Sequence, residues 1–497
     1  MAKAKADKGS DDQSTYVLDI FDDSFVDDIE SDSRLLAQEI GLNDLDTAIS
    51  SGSLVLDLIL GGGHKSGKVY AYTGPEHGGK TTIVKMAMGQ ALRTIPYRLK
   101  GVFLDGEGTF DPIWAGHIWG VEPNELHKVI GLRNAKTKDW LISPQIRYYK
   151  PQFGEQGLVF LTNLVKNRPE KVKLDNRWWY LYVPSTADEV RKNGSGWTKD
   201  TIRDTLTREV EVNGKTKKVK LWDASLYSDT GCFYVPVPNN YGGPELIIGI
   251  DSFTSLTPKQ IALQDNEALG AQARMFSRYL TPLKSLIASR GITLLGTKQI
   301  RQKIGGYGDS EYNPGGETLK HVDDVRCRIG TVSNKIKTGK SNYNVQVEGD
   351  DEYRYFHIRN KKNKTFVPFK ECDGRWWTQH GGSSGFGIDP VFDVLKYLEM
   401  TGQKTAVKKG FSVTLQEDSK AAERLKDIVF SYDSFKDSIL EGCIYDAQGN
   451  VVSKKFNLRE YCGKQLHRDG GYGLQLFLRD GDLGDEGDGD DEENGEE

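Results

Sequence analysis

Residues Tyr72–Thr82 read YTGPEHGGKTT: three glycines, one lysine and two adjacent threonines between an apolar run and an apolar-periodic one. The spacing of Gly74, Gly79, Lys80 and Thr81 fits GxxxxGK[ST], a loop that cradles phosphates. Gly74, Pro75, Glu76, His77, Gly78 and Gly79 would form the cradle, whose inward backbone N–H groups meet phosphate oxygens. Lys80 would neutralise the β- and γ-phosphates, Thr81 would hold Mg²⁺, and Thr82 would follow at the start of a helix whose positive end adds to the attraction. An ordinary strand–turn–helix gives no reason for a lysine at that point.

The flanks supply the strand and helix that such a loop needs. VYAYT (Val69–Thr73) reads as a buried strand and TTIVKMAMGQALR as a helix. GVFLDGEG is a second strand, Asp111 and Pro112 open a helix, and FGEQGLVFLTNLVK is another. Between about 167 and 243 the pattern breaks into an aromatic-rich stretch with RWWYLYV and an Asn213-Gly214 hairpin signal. The α/β pattern then resumes with ELIIGIDS, a long helix through ALGAQARMFSRYLTPLKSLIASRG, and ITLLGTKQ. RYFHIRN and FVPFKE read as further strands, and DPVFDVLKYLEMTG as the clearest helix of a C-terminal module. The expected fold is α/β, a mainly parallel sheet flanked by helices, with a small C-terminal α+β domain.

A phosphate loop needs a carboxylate on a neighbouring strand for the metal. Asp251 ends IIGID, at the carboxyl end of a buried strand, where ligands gather in open sheets. A residue to orient attacking water should end GVFLDGEG. Asp105 and Glu107 both qualify, and strand alternation puts them on one face.

At 497 residues the chain exceeds one ordinary core. Its five cysteines stand singly, without a CxxC pair, which fits a reducing compartment. No apolar run reaches the roughly 20 residues that span a bilayer, and no signal peptide is visible, so a cytoplasmic location is expected and a membrane role is not. The net charge is -5, but Asp480–Glu497 carries 11 acidic and no basic residues, so the remainder stands at +6 (-5 plus 11). Such a tail is either a disordered solubilising end or a polyanion mimic that competes for a basic groove.

GSLVLDLILGGG…GKVYAYTGPEHGGKTT, VFLDGEGTFDPIWA, IDSFTSLTP, LGAQARMFSRYL, KQIRQKIG, GGETLKH, VRCRIG and RNKKNKTFVPFKE, in this order from about Ser51 to Glu371, resemble the RecA recombinases. The resemblance implies a RecA-like P-loop ATPase core over 51–380 and an ATP- and Mg²⁺-dependent enzyme. Such an enzyme forms helical filaments on single-stranded DNA and exchanges strands with a homologous duplex. Around the core it leaves an acidic N-terminal oligomerisation segment (1–50), the insertion, the α+β unit (381–478) and the tail (479–497). Partners would be single- and double-stranded DNA, further copies of the chain, and single-strand-binding or loader proteins.

Residue by residue, the resemblance selects Glu107 to activate water and places Asp111 and Trp114 near the adenine, Trp114 standing where the family usually has tyrosine. Gln299 would sense the γ-phosphate. Lys362 and Lys364 would reach into the neighbouring copy's site, as an arginine finger does elsewhere. DNA would meet Lys259–Leu269 and Arg301–Gly316, through Leu269, Arg274, Ser277, Arg301, Lys303, Ile304, Gly315 and Gly316, with Leu269 and Ile304 wedged between bases. The family's basic residue one turn past Ser277 is Thr281 here, and Arg278 is expected to point elsewhere. His77 and Gly78 replace serines, and the segment before Ser33 is acidic where the family has a basic helix. The insertion, with Trp178, Trp179, Trp197 and Trp222 beside Lys215, Lys217, Lys218 and Lys220, suits a satellite core with a solvated lysine face better than a DNA surface. These departures mark a divergent member, and a phage origin would account for them. Two other functions share such a core: a ring-forming helicase, and a nucleotide-switched coat for single strands.

Overall fold

The computed structural model describes residues 47–76, 78–174, 177–182, 207–212, 215–220, 233–263, 270–302, 311–312, 317–331, 337–338, 341–342, 353–377, 387–408, 410–415, 425, 428–454, 456–467 and 472–481. Nine strands form one sheet: β1 (Val69–Gly74), β2 (Gly101–Asp105), β3 (Ile146–Tyr149), β4 (Leu246–Asp251), β5 (Ile292–Gln299), β6 (Val325–Thr331), β7 (Tyr353–Asn363), β8 (Glu371–Trp377) and β9 (Gly387–Ile388). Their order is β9-β8-β7-β6-β1-β5-β4-β2-β3. Every pairing from β6 to β3 is parallel, and those among β6, β7, β8 and β9 are antiparallel.

The central strands read as unbroken apolar runs because helices cover both faces. Flanking the sheet are α1 (Leu54–Leu60), α2 (Lys80–Thr94), α3 (Pro112–Trp119), α4 (Gly154–Lys166), α5 (Ala271–Ser289) and α6 (Glu317–Val322). Alternate residues of one strand serve opposite cores. Tyr70 and Tyr72 join Ile83, Val84 and Phe103 on the α2 side. Val69, Val102 and Ile248 join Leu158 of α4 and Phe276 and Leu283 of α5 on the other.

The C-terminal region adds α7 (Pro390–Met400), α8 (Tyr432–Glu441), α9 (Leu458–His467) and α10 (Tyr472–Gly481). Val394, Phe435 and Leu474 belong to the same apolar cluster as α1 and α2. Asp393, fully buried on α7, accepts from Ser53 Oγ at 2.7 Å and from the Leu54 and Val55 amides at 2.9 and 3.3 Å. It thereby satisfies the free donors at the start of α1. No described helix is long and apolar enough to cross a membrane.

The expected hairpin stands: Thr207–Val212 pairs antiparallel with Lys215–Lys220, with Val212 opposite Lys215. Glu170–Leu174, Arg177–Tyr182 and Phe233–Pro236 form a separate three-stranded sheet. Glu245 anchors that sheet to the core, accepting from Tyr180 Oη at 3.0 Å and pairing with Lys171 Nζ at 2.9 Å. Trp178 and Trp179 are half-buried, while Trp197 and Trp222 lie outside the described residues.

Three local readings change. FVPFKE is no strand: 364–370 is a turn and β8 begins at Glu371. Pro368 has no N–H to give a ladder, and Phe369 adopts φ 64°. Strand β3 and the Leu132–Arg133/Trp140–Ile142 pair occupy a stretch to which the sequence reading assigns no element. Arg278 does not point away: Arg274, Ser277, Arg278 and Thr281 are all exposed at helical spacing and share one face of α5.

Candidate nucleotide site

The loop after β1 leads into α2, whose N-cap Gly79 has φ 87° and no side-chain cap. Only glycine takes that left-handed conformation readily. The first amides of α2 are thus free for an anion. A cavity of 620 Å³ opens over them, bounded on the loop side by Glu76, Gly78, Gly79, Lys80, Thr81 and Thr82. Lys80 Nζ donates to the Pro75 carbonyl at 2.5 Å. Burial pulls its pKa down, against the opposing pull of Glu107, Asp251 and Glu76. His77 lies outside the described residues.

Sheet register brings the other side chains to this end. Gln299 is level with Gly74 and Asp251 with Asp105. Asp251 is buried; its Oδ2 accepts from Thr81 Oγ1 at 2.9 Å and its Oδ1 from Thr297 Oγ1 at 2.7 Å. Burial raises the Asp251 pKa, against those hydrogen bonds. Hard oxygens on Thr81 and Asp251 beside a phosphate cradle suit Mg²⁺, which prefers few protein ligands plus phosphate oxygens and water.

The two carboxylates near the end of β2 separate. Strand β2 stops at Asp105, so the alternation that equated them ends there. Asp105 is buried; it accepts from the Gly108 and Phe110 amides at 2.6 and 3.1 Å and from Tyr148 Oη at 3.0 Å, which folds the following turn. Glu107 is exposed and lines the cavity. Its Oε1 accepts from Gln299 Nε2 and from Ser255 Oγ, each at 3.2 Å.

Trp114 and Thr109 line the cavity as well. Asp111 caps α3, accepting from the Ile113 and Trp114 amides at 2.8 and 3.1 Å, and does not itself line the cavity. Trp376 and Trp377, at the end of β8, close another wall and were not singled out in the sequence. Their only signal there is two adjacent tryptophans on a strand, where alternation cannot turn both into one core.

Lys362 and Lys364 do not line the cavity. Lys362 is opposite Arg326, itself level with Ala71, and its Nζ donates to the Lys320 carbonyl at 3.0 Å. The Lys364 amide bonds Asp324, whose amide bonds Val69. Both therefore lie toward the start of β1, and Lys364 is five residues, roughly 16 Å of strand, from the loop end. Of the residues expected at DNA, Arg274 and Ser277 are exposed on α5, and Arg301 pairs through its backbone with Tyr312. Leu269, Lys303, Ile304, Gly315 and Gly316 lie outside the described residues.

Strand, glycine-bearing loop and helix, with a strand-end carboxylate on the loop threonine, define a P-loop fold of the α/β class. Residues 34–130 and 240–381 match the RecA N-terminal domain family. Protein RecA of a Thermus thermophilus strain is 25% identical over 401 residues, covering 79% of this chain and 84% of its own. Protein RecA of Sulfurovum sp. NBC37-1 is 26% identical over 392 residues, 76% of this chain and 82% of its own. That of Deinococcus radiodurans is 25% identical over 357 residues, 70% and 68%. This chain belongs to the RecA family, as a divergent member. Proteins of this family are DNA-dependent ATPases that generally use ATP with Mg²⁺.

Proposed function

We propose that the chain is a DNA recombinase that hydrolyses ATP while forming a helical filament on single-stranded DNA, and that it pairs this strand with a homologous duplex. The observation that carries this is the division of the site. One end of the sheet offers Lys80, Thr81, Asp251, Glu107 and Gln299 around one cavity. Lys362 and Lys364 are outside that cavity in the same chain, which suits completion by a neighbouring copy.

In this reading Lys80 and the loop amides hold the phosphates, and Thr81 and Asp251 would hold Mg²⁺, which would supply positive charge to offset the phosphates. Glu107 accepts a proton from, or orients, the attacking water. Gln299 links that carboxylate to the Arg301–Gly316 segment, so nucleotide state and DNA contact report on each other. Trp114 offers a stacking face to the base. Arg274, Ser277 and Arg278 would meet backbone phosphates, contacts that carry no sequence information and leave homology to base pairing. Single-strand-binding or loader proteins would be partners, and the cytoplasm the compartment.

The test is ATPase rate with and without single-stranded DNA, alongside negative-stain images. Stimulated turnover with helical filaments is expected. Closed rings would favour a helicase-type motor, and filaments without turnover a coat protein. Deleting Asp480–Glu497 should tighten DNA binding most at low salt if the tail competes for the same groove; unchanged affinity makes it a solubiliser.

A further inference from the structure

Trp376 is 7% exposed, and its indole ring stacks on Phe356 with centroids 4.1 Å apart and planes 23° from parallel. Stacking fixes the ring. The ring edge then meets the phosphate loop: a Cβ placed on Gly79 would lie 2.5 Å from Trp376 Nε1 and 2.7 Å from Cε2. Gly79 is thus required twice, for its left-handed backbone and for the room the indole takes. Trp376 Nε1 is buried and has no hydrogen-bond partner among the described residues. A buried N–H without an acceptor is costly, so its retention calls for an acceptor from outside the chain. Two features converge here on one kind of ligand: the uncapped amino end of the 15-residue helix α2, and an indole donor locked against its N-cap, Gly79.

We propose that the Trp376 indole N–H donates a hydrogen bond to a phosphate oxygen of the nucleotide at the start of α2. This makes Trp376 a phosphate-binding residue contributed by β8, from outside the loop motif. The assignment rests on the nucleotide reading of the cavity. It differs from a hydrophobic wall, which would serve the base or sugar and would not need the N–H. It also explains why an aromatic residue able to donate, held by a second aromatic ring, sits where an aliphatic side chain would close the cavity equally well.

The experiment measures ADP, ATP and adenosine binding, and pyrophosphate by competition, on the full chain with wild-type Trp376, with Trp376→Phe, and with β-(3-benzothienyl)alanine at 376. The last keeps the fused ring and replaces N–H by sulfur, so packing survives if the phenylalanine variant fails to fold. Loss of roughly tenfold in ADP, ATP and pyrophosphate affinity, with adenosine unchanged, is expected for one hydrogen bond to a charged acceptor. Equal phosphate affinities, or an equal loss for adenosine, overturn the assignment while leaving the nucleotide site intact. A wild-type chain that binds none of the phosphate ligands overturns the site itself, and this inference with it.

Discussion

The two ends of β1 hold cations in different ways. At its carboxyl end Lys80 leans on a single loop carbonyl, with three carboxylates near and a cavity before it. Toward its amino end Lys362 lies among Lys364, Arg326 and Lys284, and burial together with those like charges lowers its pKa. The first arrangement waits for an anion within the chain. The second gathers cations beside Asp323 and Asp324, where the same chain has no phosphate cradle among its described residues; in the proposed filament a neighbour's triphosphate would meet them there. On the proposed reading, the difference means that neither end is a complete site alone.

Breaking each end in turn should have unequal consequences. Lys80→Ala should abolish hydrolysis and nucleotide binding together. Lys362→Ala should lower DNA-stimulated turnover by about a thousandfold, as loss of a trans-acting cation does, while ADP binding by the isolated subunit stays unchanged. Equilibrium titration and steady-state rates on the same preparations separate the two, and matching defects would erase the contrast.

A smaller effect concerns the strand that carries Gln299. Lys298 Nζ and Asp323 are both about 1% exposed and 2.7 Å apart, and Arg326 Nε adds a contact at 3.0 Å. Asp323→Asn leaves a buried ammonium unpaired and should cost about 3–5 kcal/mol in urea unfolding. An unchanged midpoint would show that the pair does not hold β5 to β6.

The smallest lies on the antiparallel wing. His357 Nδ1 is 2.9 Å from Asp373, and its hydrogen bond to that carboxylate raises its pKa against partial burial. Its folded pKa lies above the unfolded value. The stabilisation is therefore full below 6.5 and is lost as pH rises through the folded value. Because the pair is partly exposed, wild type should exceed His357→Asn by less than about 1 kcal/mol in mild acid, the gap closing as pH rises through the raised folded value. A gap that widens with pH would contradict the sign.

Much of this was legible in the sequence, and for identifiable reasons. The parallel strands announce themselves because burial on both faces forces continuous apolar runs, as in LIIGID. The loop is legible because its chemistry fixes residue types at fixed spacing. Asp105 and Glu107 could not be told apart because the strand's end, three residues earlier than assumed, is set by the turn that Asp105 itself folds. FVPFKE misled because its apolar residues suit a strand, while Pro368 and the left-handed Phe369 make a turn. Trp376 was invisible because its partner, Gly79, is distant in sequence, and no local pattern encodes that meeting.

The central claim is that one catalytic site draws on two copies of the chain, and mixing inactive variants tests it most directly. Lys80→Ala and Lys362→Ala proteins, each silent alone, are combined in equal amounts on single-stranded DNA and their ATP turnover is measured. Random assembly through head-to-tail contacts pairs an intact loop with an intact lysine in about one site in four, so about a quarter of wild-type turnover should return. No recovery at any mixing ratio, with mixed filaments visible, would contradict the account.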